Sequence, residues 1–266
     1  MKILMISEFF PTGKDLKFSG GVEARTYFVA RQLSKENKVK VICIREPHTK
    51  VSESINGIQI KRVGPLVPYN AGSGKDINPL SMLSFIRAAI REGIKSDADI
   101  VDGGNFIAHL IAKQISIRKK IPVIFWYPDV YLGNWVKTSG IISGFSGFIL
   151  EKLNLLRGAD HFIAISKSTK DKLVKQSIKS DKITVIPCGI DKSEFTPGHT
   201  IGKNPRILTI ARLVKYKRIR DLVLAAALVF KKNHKVSLMI IGRGSEEENL
   251  KELIDNLKIQ KRVIFK

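Results

Sequence analysis

The chain has 266 residues, 44% of them hydrophobic, and 46 basic against 24 acidic residues give it a net charge of +22. This length suits two domains, since a domain commonly has about 100–150 residues. No apolar run is long enough for a transmembrane helix, and Glu8 interrupts the N-terminal apolar run too early for a signal peptide. The two cysteines lack the spacing of a zinc site, which excludes a disulfide-rich or structural-metal protein. We expect a cytoplasmic protein, and the positive charge favours anionic partners such as nucleotides, sugar phosphates, nucleic acid or an anionic membrane.

Short apolar runs alternate with amphipathic stretches along the whole chain, a pattern that is typical of parallel sheets covered by helices on both faces. The predicted strands are Ile3–Ile6, Val39–Ile44, Ile58–Val63, Ile100–Val101, Val123–Trp126, Phe162–Ile165, Ile183–Ile186, Ile207–Ile210, Leu238–Ile241 and Val263–Phe265. The predicted helices are Val22–Ser34, Leu80–Lys95, Phe106–Ile117, Phe145–Leu156, Thr169–Gln176, Ile219–Lys231 and Glu246–Leu257. The sequence therefore predicts an α/β, doubly wound fold.

One interval rich in turn-forming residues breaks this alternation and predicts a linker over residues 191–205. It separates a first domain, residues 1–190, from a second one, residues 206–266. The second domain has only three predicted strands, too few to fill a core, so we expect it to be incomplete.

Two candidate sites lie in the first domain, where loops follow the carboxyl ends of strands. Gly20 and Gly21 stand directly before a helix and could let the backbone approach an anion, with Glu23 following within the first turn. Asp129, flanked by Tyr127 and Tyr131, combines a carboxylate with aromatic rings, which suits sugar hydroxyls and ring faces. A simple turn before a helix, and a surface turn anchored by aromatic residues, are the alternatives.

Two further candidates follow strands of the second domain. Arg212 and Lys217 could converge on a pyrophosphate, although the neighbouring basic residues also fit a solvated charged surface. Gly242 and Gly244 form a glycine turn before a helix, but the third glycine of a dinucleotide fingerprint is missing. We predict no metal site.

In this order, the elements resemble the retaining GT-B glycosyltransferases of the large family-four group. The resemblance depends on five segments: residues 20–23, residues 159–169, residues 183–197, residues 211–217 and residues 240–244. It implies two Rossmann-like domains, a nucleotide-diphosphate sugar as donor and no metal or other cofactor. Gly20 and Gly21 would contact the donor, while Arg212 and Lys217 would hold the leaving pyrophosphate. Glu23, Tyr127 and Tyr131 would lie on the acceptor side.

The chain also departs from the family pattern. Pro128-Asp129 replaces the common His-Asp, so the usual catalytic His is missing and Asp129 is the only matching carboxylate, beside Arg212 and Lys217 as the other expected catalytic residues. Arg218 replaces a usual glycine. The family's acidic donor-site pair would fall beyond Lys266, so we expect a C-terminally truncated transferase with little activity of its own.

The acceptor class stays open among lipid, glycan and small molecule. The apolar stretch Ile141–Leu156 and the positive charge suggest peripheral binding to the inner face of a membrane. Other interpretations are a non-catalytic sugar- or nucleotide-binding module and a nicotinamide-dependent oxidoreductase, which is disfavoured because no glycine fingerprint follows the first strand. A nucleic-acid partner is not expected, since no recognition helix or stacking motif is apparent.

Overall fold

A computed structural model describes residues 1–12, 16, 18, 20–67, 78–190, 195 and 204–266. The described residues up to Gly189 form one compact unit, and those from Ile190 onward form a second. We call them unit 1 and unit 2. Most of the linker predicted over residues 191–205 lies outside the described residues.

Unit 1 contains an eight-stranded sheet of order β3-β4-β2-β1-β5-β6-β7-β8 in the described part of the chain. All neighbouring strands are parallel except β3 and β4, which form an antiparallel hairpin. The strands are β1 (Lys2–Ile6), β2 (Lys38–Arg45), β3 (Ser52–Ile55), β4 (Ile58–Leu66), β5 (Ile100–Gly103), β6 (Val123–Tyr127), β7 (His161–Ala164) and β8 (Ile183–Val185). The strand order reverses between β1 and β5, and in such sheets ligands bind at that point.

Six helices connect these strands within the described residues: α1 (Gly21–Leu33), α2 (Pro79–Lys95), α3 (Phe106–Lys119), α4 (Trp135–Ser139), α5 (Ile141–Arg157) and α6 (Lys167–Lys175). The side chains of Asn78, Asn105 and Ser166 cap α2, α3 and α6 by accepting hydrogen bonds from backbone N–H groups of the first turn. One buried cluster packs α2, α3, α5 and α6 against the sheet, and a second packs α1 against the opposite face. Unit 1 is therefore an α/β structure with helices on both faces of its sheet.

Unit 2 contains a parallel sheet of order β11-β10-β9, formed by β9 (Arg206–Ile210), β10 (Ser237–Ile241) and β11 (Val263–Phe265). Its helices α7 (Ile219–Lys232) and α8 (Glu247–Asn256) pack on the sheet through a core that includes Val223, Phe230, Leu238, Leu250 and Ile254. The side chains of Leu208 and Ile210 on β9 stay exposed.

All ten strands and all seven helices predicted from the sequence are present, with bounds that differ by a few residues, and the α/β fold class is confirmed. Within the described residues, the elements that the sequence missed include strand β3 and the five-residue helix α4. None of the helices in the described residues combines the length and the hydropathy that a membrane span requires.

Candidate functional site

Gly20 and Gly21 lie at the start of α1, on the carboxyl side of β1. Gly20 has an extended backbone that any residue can adopt, and a Cβ atom added at Gly21 would meet no atom within 4 Å. The backbone conformation therefore does not require glycine at position 20, and the packing of the described residues does not require it at position 21. What the two glycines provide is open access to the first N–H groups of α1, which favour an anion.

Several polar groups lie where β1 and β5 adjoin. Glu8 interacts with the side chain of Asn105, and burial raises the pKa of Glu8 to about 7 although this hydrogen bond opposes the shift. Nearby, Arg25 donates to Asp102 across 3.3 Å and lies 4.6 Å from the centre of the Trp126 ring. The ion pair and the ring fix α1 against β5 and β6 at this edge of the sheet.

Asp129 follows β6, where the sequence predicted a catalytic carboxylate. Its Oδ1 accepts a hydrogen bond from the Val130 N–H at 2.8 Å and lies 2.6 Å from Nζ of Lys172 on α6. Both side chains of the ion pair are 42% exposed, so Asp129 remains open to a ligand from the solvent side. Sequence reasoning did not identify Lys172, because its contact joins the loop after β6 to helix α6, which is distant along the chain.

Glu151 on α5 holds the loop that follows Asp129. Its buried carboxylate accepts hydrogen bonds from the Tyr131 N–H at 3.1 Å and from Nε1 of Trp135 at 2.6 Å. Burial raises the pKa of Glu151 to about 7, against the opposing effect of these hydrogen bonds. The rings of Phe106, Tyr131 and Trp135 contact one another beside it, at centroid distances of 4.9 to 5.9 Å. The sequence signal for Glu151 was the single acidic residue of a mostly apolar helix.

Tyr127 and Glu23, both predicted on the acceptor side, lie inside unit 1. Tyr127 is fully buried and packs 4.6 Å from His109, whose pKa burial lowers to about 3. Glu23 is also buried. The pKa of the neighbouring Glu46 is raised to about 7, mainly by burial of Glu46 and to a smaller extent by the charge of Glu23. Tyr127 and His109 are thus part of the packed interior, with His109 uncharged at neutral pH, and the burial of Tyr127 and Glu23 gives no support to a direct contact with an acceptor.

In unit 2, the loops after β9 and β10 lie against each other. The N–H groups of Ala211 and Leu213 donate to the carbonyls of Ile241 and Arg243 at 3.0 and 2.9 Å. A Cβ atom at Gly242 would lie 2.0 Å from the Ala211 carbonyl oxygen, and one at Gly244 would lie 2.2 Å from that of Leu213. Both glycines are needed for this close approach, which fixes the backbone beneath Arg212.

Arg212 and Lys217 lie on the same connection of unit 2: Arg212 precedes a one-turn 3₁₀ helix, Lys215–Lys217, and Lys217 is its last residue. Both side chains are exposed. Arg218, which stands where the resembling family has glycine, adopts a left-handed backbone conformation with φ of 54°. The structure therefore gives the physical reason for a glycine at this position, since that conformation is strained for other residues. The described residues contain no cluster of His, Cys, Asp and Glu suited to a metal ion.

The outward side of helices α4 and α5 exposes large apolar residues. A Cβ atom at Gly144 or Gly147 would clash with Val136 or Trp135 of α4, at 2.6 and 2.5 Å, so the small residues of α5 face inward. We call the exposed apolar residues the outer face: Val136, Ile141, Ile142, Phe145, Phe148, Ile149, Leu153 and Leu156. Lys137, Lys152 and Arg157 are exposed on the same two helices. A helix that covers a protein core usually carries polar residues on its outward side, so the apolar outer face is unusual.

Two family models match the chain. The model described as Glycosyltransferase Family 4 matches residues 19–194, and the model described as Glycosyl transferases group 1 matches residues 191–266. Together they cover both units.

Curated relatives are between 23% and 29% identical to the chain over the aligned residues. The chain is 29% identical over 182 residues to an alpha-monoglucosyldiacylglycerol synthase of Streptococcus pneumoniae, covering 60% of the chain and 40% of that protein. It is 27% identical over 255 residues to an uncharacterized glycosyltransferase of Haemophilus influenzae, covering 93% of the chain and 65% of that protein. The chain thus spans less than two thirds of the length of these relatives.

Solved structures of glycosyltransferases have the same fold at low sequence identity. The Anabaena protein HepE in complex with UDP-glucose matches the whole chain with a TM-score of 0.71 and 16% identity, over 68% of its own length. Sucrose-phosphate synthase from Thermosynechococcus elongatus also matches the whole chain, with a TM-score of 0.75 and 16% identity, over 70% of its length. These matches confirm the GT-B fold class.

Proposed function

The chain belongs to glycosyltransferase family 4, and from this membership we propose that it transfers a hexosyl unit from a nucleotide-diphosphate sugar to a lipid or glycan acceptor, with retention of configuration and without a metal ion. The chain is a glycosyltransferase by its family and its relatives. The donor, the acceptor and the stereochemistry are the proposed part.

The loop that carries Arg212 and Lys217 is the observation that best supports a nucleotide-sugar donor. When the glycosyl bond breaks, negative charge develops on the departing diphosphate, and fixed cations stabilise it most where they need not reorganise. The Arg212 guanidinium can bind two phosphate oxygens at once, and the Lys217 ammonium adds a second charge. Gly242 and Gly244 fix the backbone of this loop. In unit 1, we propose that the N–H groups at Gly20 and Gly21 contact a phosphate or sugar group.

On the acceptor side, we propose that Asp129 accepts a hydrogen bond from the attacking or a neighbouring hydroxyl, and that Tyr131 lines the same site. The Lys172 ammonium at 2.6 Å and the Val130 N–H at 2.8 Å hold the carboxylate in one orientation. This geometry supports a positioning role, since a hydroxyl must be fixed near the reacting carbon for efficient transfer.

We further propose that the outer face of α4 and α5 binds an anionic membrane, with the enzyme at the cytoplasmic surface. Ile142 and Phe145 are 87% and 62% exposed, and basic residues flank the apolar surface. An amphipathic helix of this kind lies in the plane of the lipid headgroups and is attracted to anionic lipids. A lipid-linked acceptor fits such a surface, and the pneumococcal relative is named for the synthesis of a glycolipid.

Turnover of nucleotide sugars tests the proposed reaction. With UDP-, GDP- and ADP-hexoses as donors, we expect Arg212→Ala and Lys217→Ala each to lower the rate by about 10²-fold or more, because each removes a cation from the leaving diphosphate. Lys232→Ala removes an exposed charge at the far end of α7 and should leave the rate unchanged. Full activity in both the Arg212 and the Lys217 variants would contradict the assignment.

Flotation with anionic liposomes at low and high salt tests the membrane surface. The double substitution Ile142→Glu and Phe145→Glu should abolish binding, since it places two acids on the apolar face. Leu228→Glu makes the same change at an exposed residue of unit 2 and should not affect binding. No flotation of the unmodified chain at low salt would remove the membrane proposal.

A further inference from the structure

Tyr216 lies between the two cations of the proposed donor site and contacts both. Nη2 of Arg212 donates a hydrogen bond to the Tyr216 hydroxyl at 2.6 Å, and Nζ of Lys217 lies 5.5 Å from the centre of the Tyr216 ring. Tyr216 is 45% exposed, so its hydroxyl remains accessible from solvent. The three side chains form one exposed polar group.

The backbone beneath this group is fixed on both sides. Leu213 is fully buried next to Arg212, and its N–H donates to the Arg243 carbonyl at 2.9 Å. The Lys217 N–H donates to the Val214 carbonyl at 2.9 Å, which closes the turn that carries Tyr216. Any remaining freedom of Arg212 is therefore in its long side chain, and the contact with Tyr216 restricts that freedom.

The Tyr216 hydroxyl can serve two partners at once. Its oxygen accepts the hydrogen bond from Arg212, which leaves its own hydrogen available for donation. An anion beside the guanidinium would then receive hydrogen bonds from Arg212 and from the phenol, with the Lys217 charge nearby. A phosphate oxygen has the lone pairs and the charge that such a set of donors suits.

We propose that Tyr216 is a third phosphate-binding residue of the donor site, and that it holds the Arg212 guanidinium in place before the nucleotide arrives. This inference depends on the proposed function, because it takes the diphosphate of the donor as the anion. Holding a flexible arginine in advance lowers the entropy lost on binding and so strengthens binding. The recognised group is the diphosphate, whatever the base.

Titration of the chain with nucleoside diphosphates and with the matching nucleosides tests this role. UDP, GDP and ADP are compared with uridine, guanosine and adenosine, and the pair that the unmodified chain binds is used for the variants. Tyr216→Phe keeps the ring near Lys217 and removes only the hydroxyl. We expect it to weaken binding of the diphosphate about 3- to 10-fold, the effect of losing one ordinary hydrogen bond at a solvent-exposed site, and to change nucleoside binding by less than about twofold.

Lys215→Ala is the matched control, because it removes a charge from the same turn, and the Lys215 side chain makes no hydrogen bond or cation–π contact with Tyr216 among the described residues. The substitution should change diphosphate binding by less than about twofold. Equal diphosphate affinity in Tyr216→Phe and the unmodified chain would overturn the role of Tyr216 alone. If the unmodified chain binds no diphosphate more tightly than its nucleoside, the donor site in unit 2 and the role of Tyr216 are both wrong. Thermal unfolding of Tyr216→Phe should match that of the unmodified chain, as expected for an exposed hydroxyl.

Discussion

The loop after β6 in unit 1 and the loop after β9 in unit 2 both follow the carboxyl end of a parallel strand, yet they are held in different ways. Residues 128–135 are held by side chains, chiefly the buried Glu151 carboxylate and the rings around Trp135. Residues 211–218 are held through the backbone, by hydrogen bonds to the neighbouring loop and by the close approach of Gly244. In the second loop the charged side chains are therefore left for a ligand.

The polar groups of the two candidate sites differ in the partners that they have within the chain. In unit 1 Asp129 is already paired with Lys172, and Trp135 donates to Glu151. In unit 2 Arg212 and Lys217 are exposed and contact a tyrosine that can itself donate to an anion. A loop fixed by its backbone is suited to binding an anion, whereas a loop fixed by its side chains is suited to presenting a shaped surface.

The largest predicted effect is on the backbone-held loop. Gly244→Ala places a Cβ atom 2.2 Å from the Leu213 carbonyl oxygen, and because the obstructing atoms are backbone, we expect unit 2 to lose about 3 kcal/mol of stability or more. During chemical denaturation, circular dichroism should show that unit 2 unfolds at a lower denaturant concentration than in the unmodified chain. Both tryptophans, Trp126 and Trp135, lie in unit 1, so the unfolding midpoint measured by tryptophan fluorescence should not change.

Gly189→Ala is the control for this substitution, because a Cβ atom there would meet no atom within 4 Å. We expect a change of less than about 0.5 kcal/mol. A Gly244→Ala chain that unfolds like the unmodified chain would show that the two loops of unit 2 are not fixed by this close approach.

An intermediate effect is predicted for the loop held by side chains. Glu151→Gln keeps the shape of the side chain but leaves one of the two donors, the Tyr131 N–H or the Trp135 indole, without an acceptor. We expect a loss of about 1–3 kcal/mol at neutral pH. The loss should appear in tryptophan fluorescence, since Trp135 itself is affected, and the transition of unit 2 should not move.

The same variant has a predicted pH dependence. Burial raises the pKa of Glu151 to about 7 from an ordinary value near 4.5, so between these values the folded chain binds more protons than the unfolded chain. Its contribution to the free energy of unfolding therefore falls as pH rises from about 4.5 to 7. Burial also raises the pKa values of Glu8 and Glu46. The test is therefore the difference in the free energy of unfolding between the unmodified chain and Glu151→Gln, measured across this pH range. A difference that is constant across this range would contradict the shift.

The smallest predicted effect concerns Arg218. Its left-handed backbone, with φ of 54°, is strained for arginine and relaxed for glycine. Arg218→Gly should therefore stabilise unit 2 by about 1 kcal/mol at most, because the exposed ion pair with Asp221 that it removes contributes little. Chemical denaturation followed by circular dichroism measures the change, and a clear destabilisation would show that the ion pair outweighs the strain.

The strands and most helices could be predicted from the sequence because buried parallel strands are continuously apolar and the helices between them are amphipathic. Strand β3 had a readable signal, since Asn56 and Gly57 both have positive φ in the turn to β4 and Asn-Gly is the common hairpin turn. Helix α4 has only five residues, too few for a periodic pattern.

The candidate sites were less accessible to sequence reasoning than the fold. The Glu151 contact with Trp135 and the Lys172 contact with Asp129 depend on tertiary packing, which no local pattern encodes. Tyr127 looked like a surface residue at a strand end, but both faces of a parallel sheet are buried, so alternation along β6 gave no sign that it points inward. The Arg212 and Tyr216 contact is local, but residues 211–214 are not helical, so a spacing of four residues did not predict it.

Calorimetric titration with UDP-glucose, GDP-mannose and ADP-glucose tests most directly whether this chain is a nucleotide-sugar transferase with its diphosphate site on unit 2. We predict that one of the three donors binds, and that Arg212→Ala weakens its binding at least about tenfold, since one charge-assisted contact is lost. Binding that is unchanged in Arg212→Ala, or no binding of any of the three donors, would contradict the account.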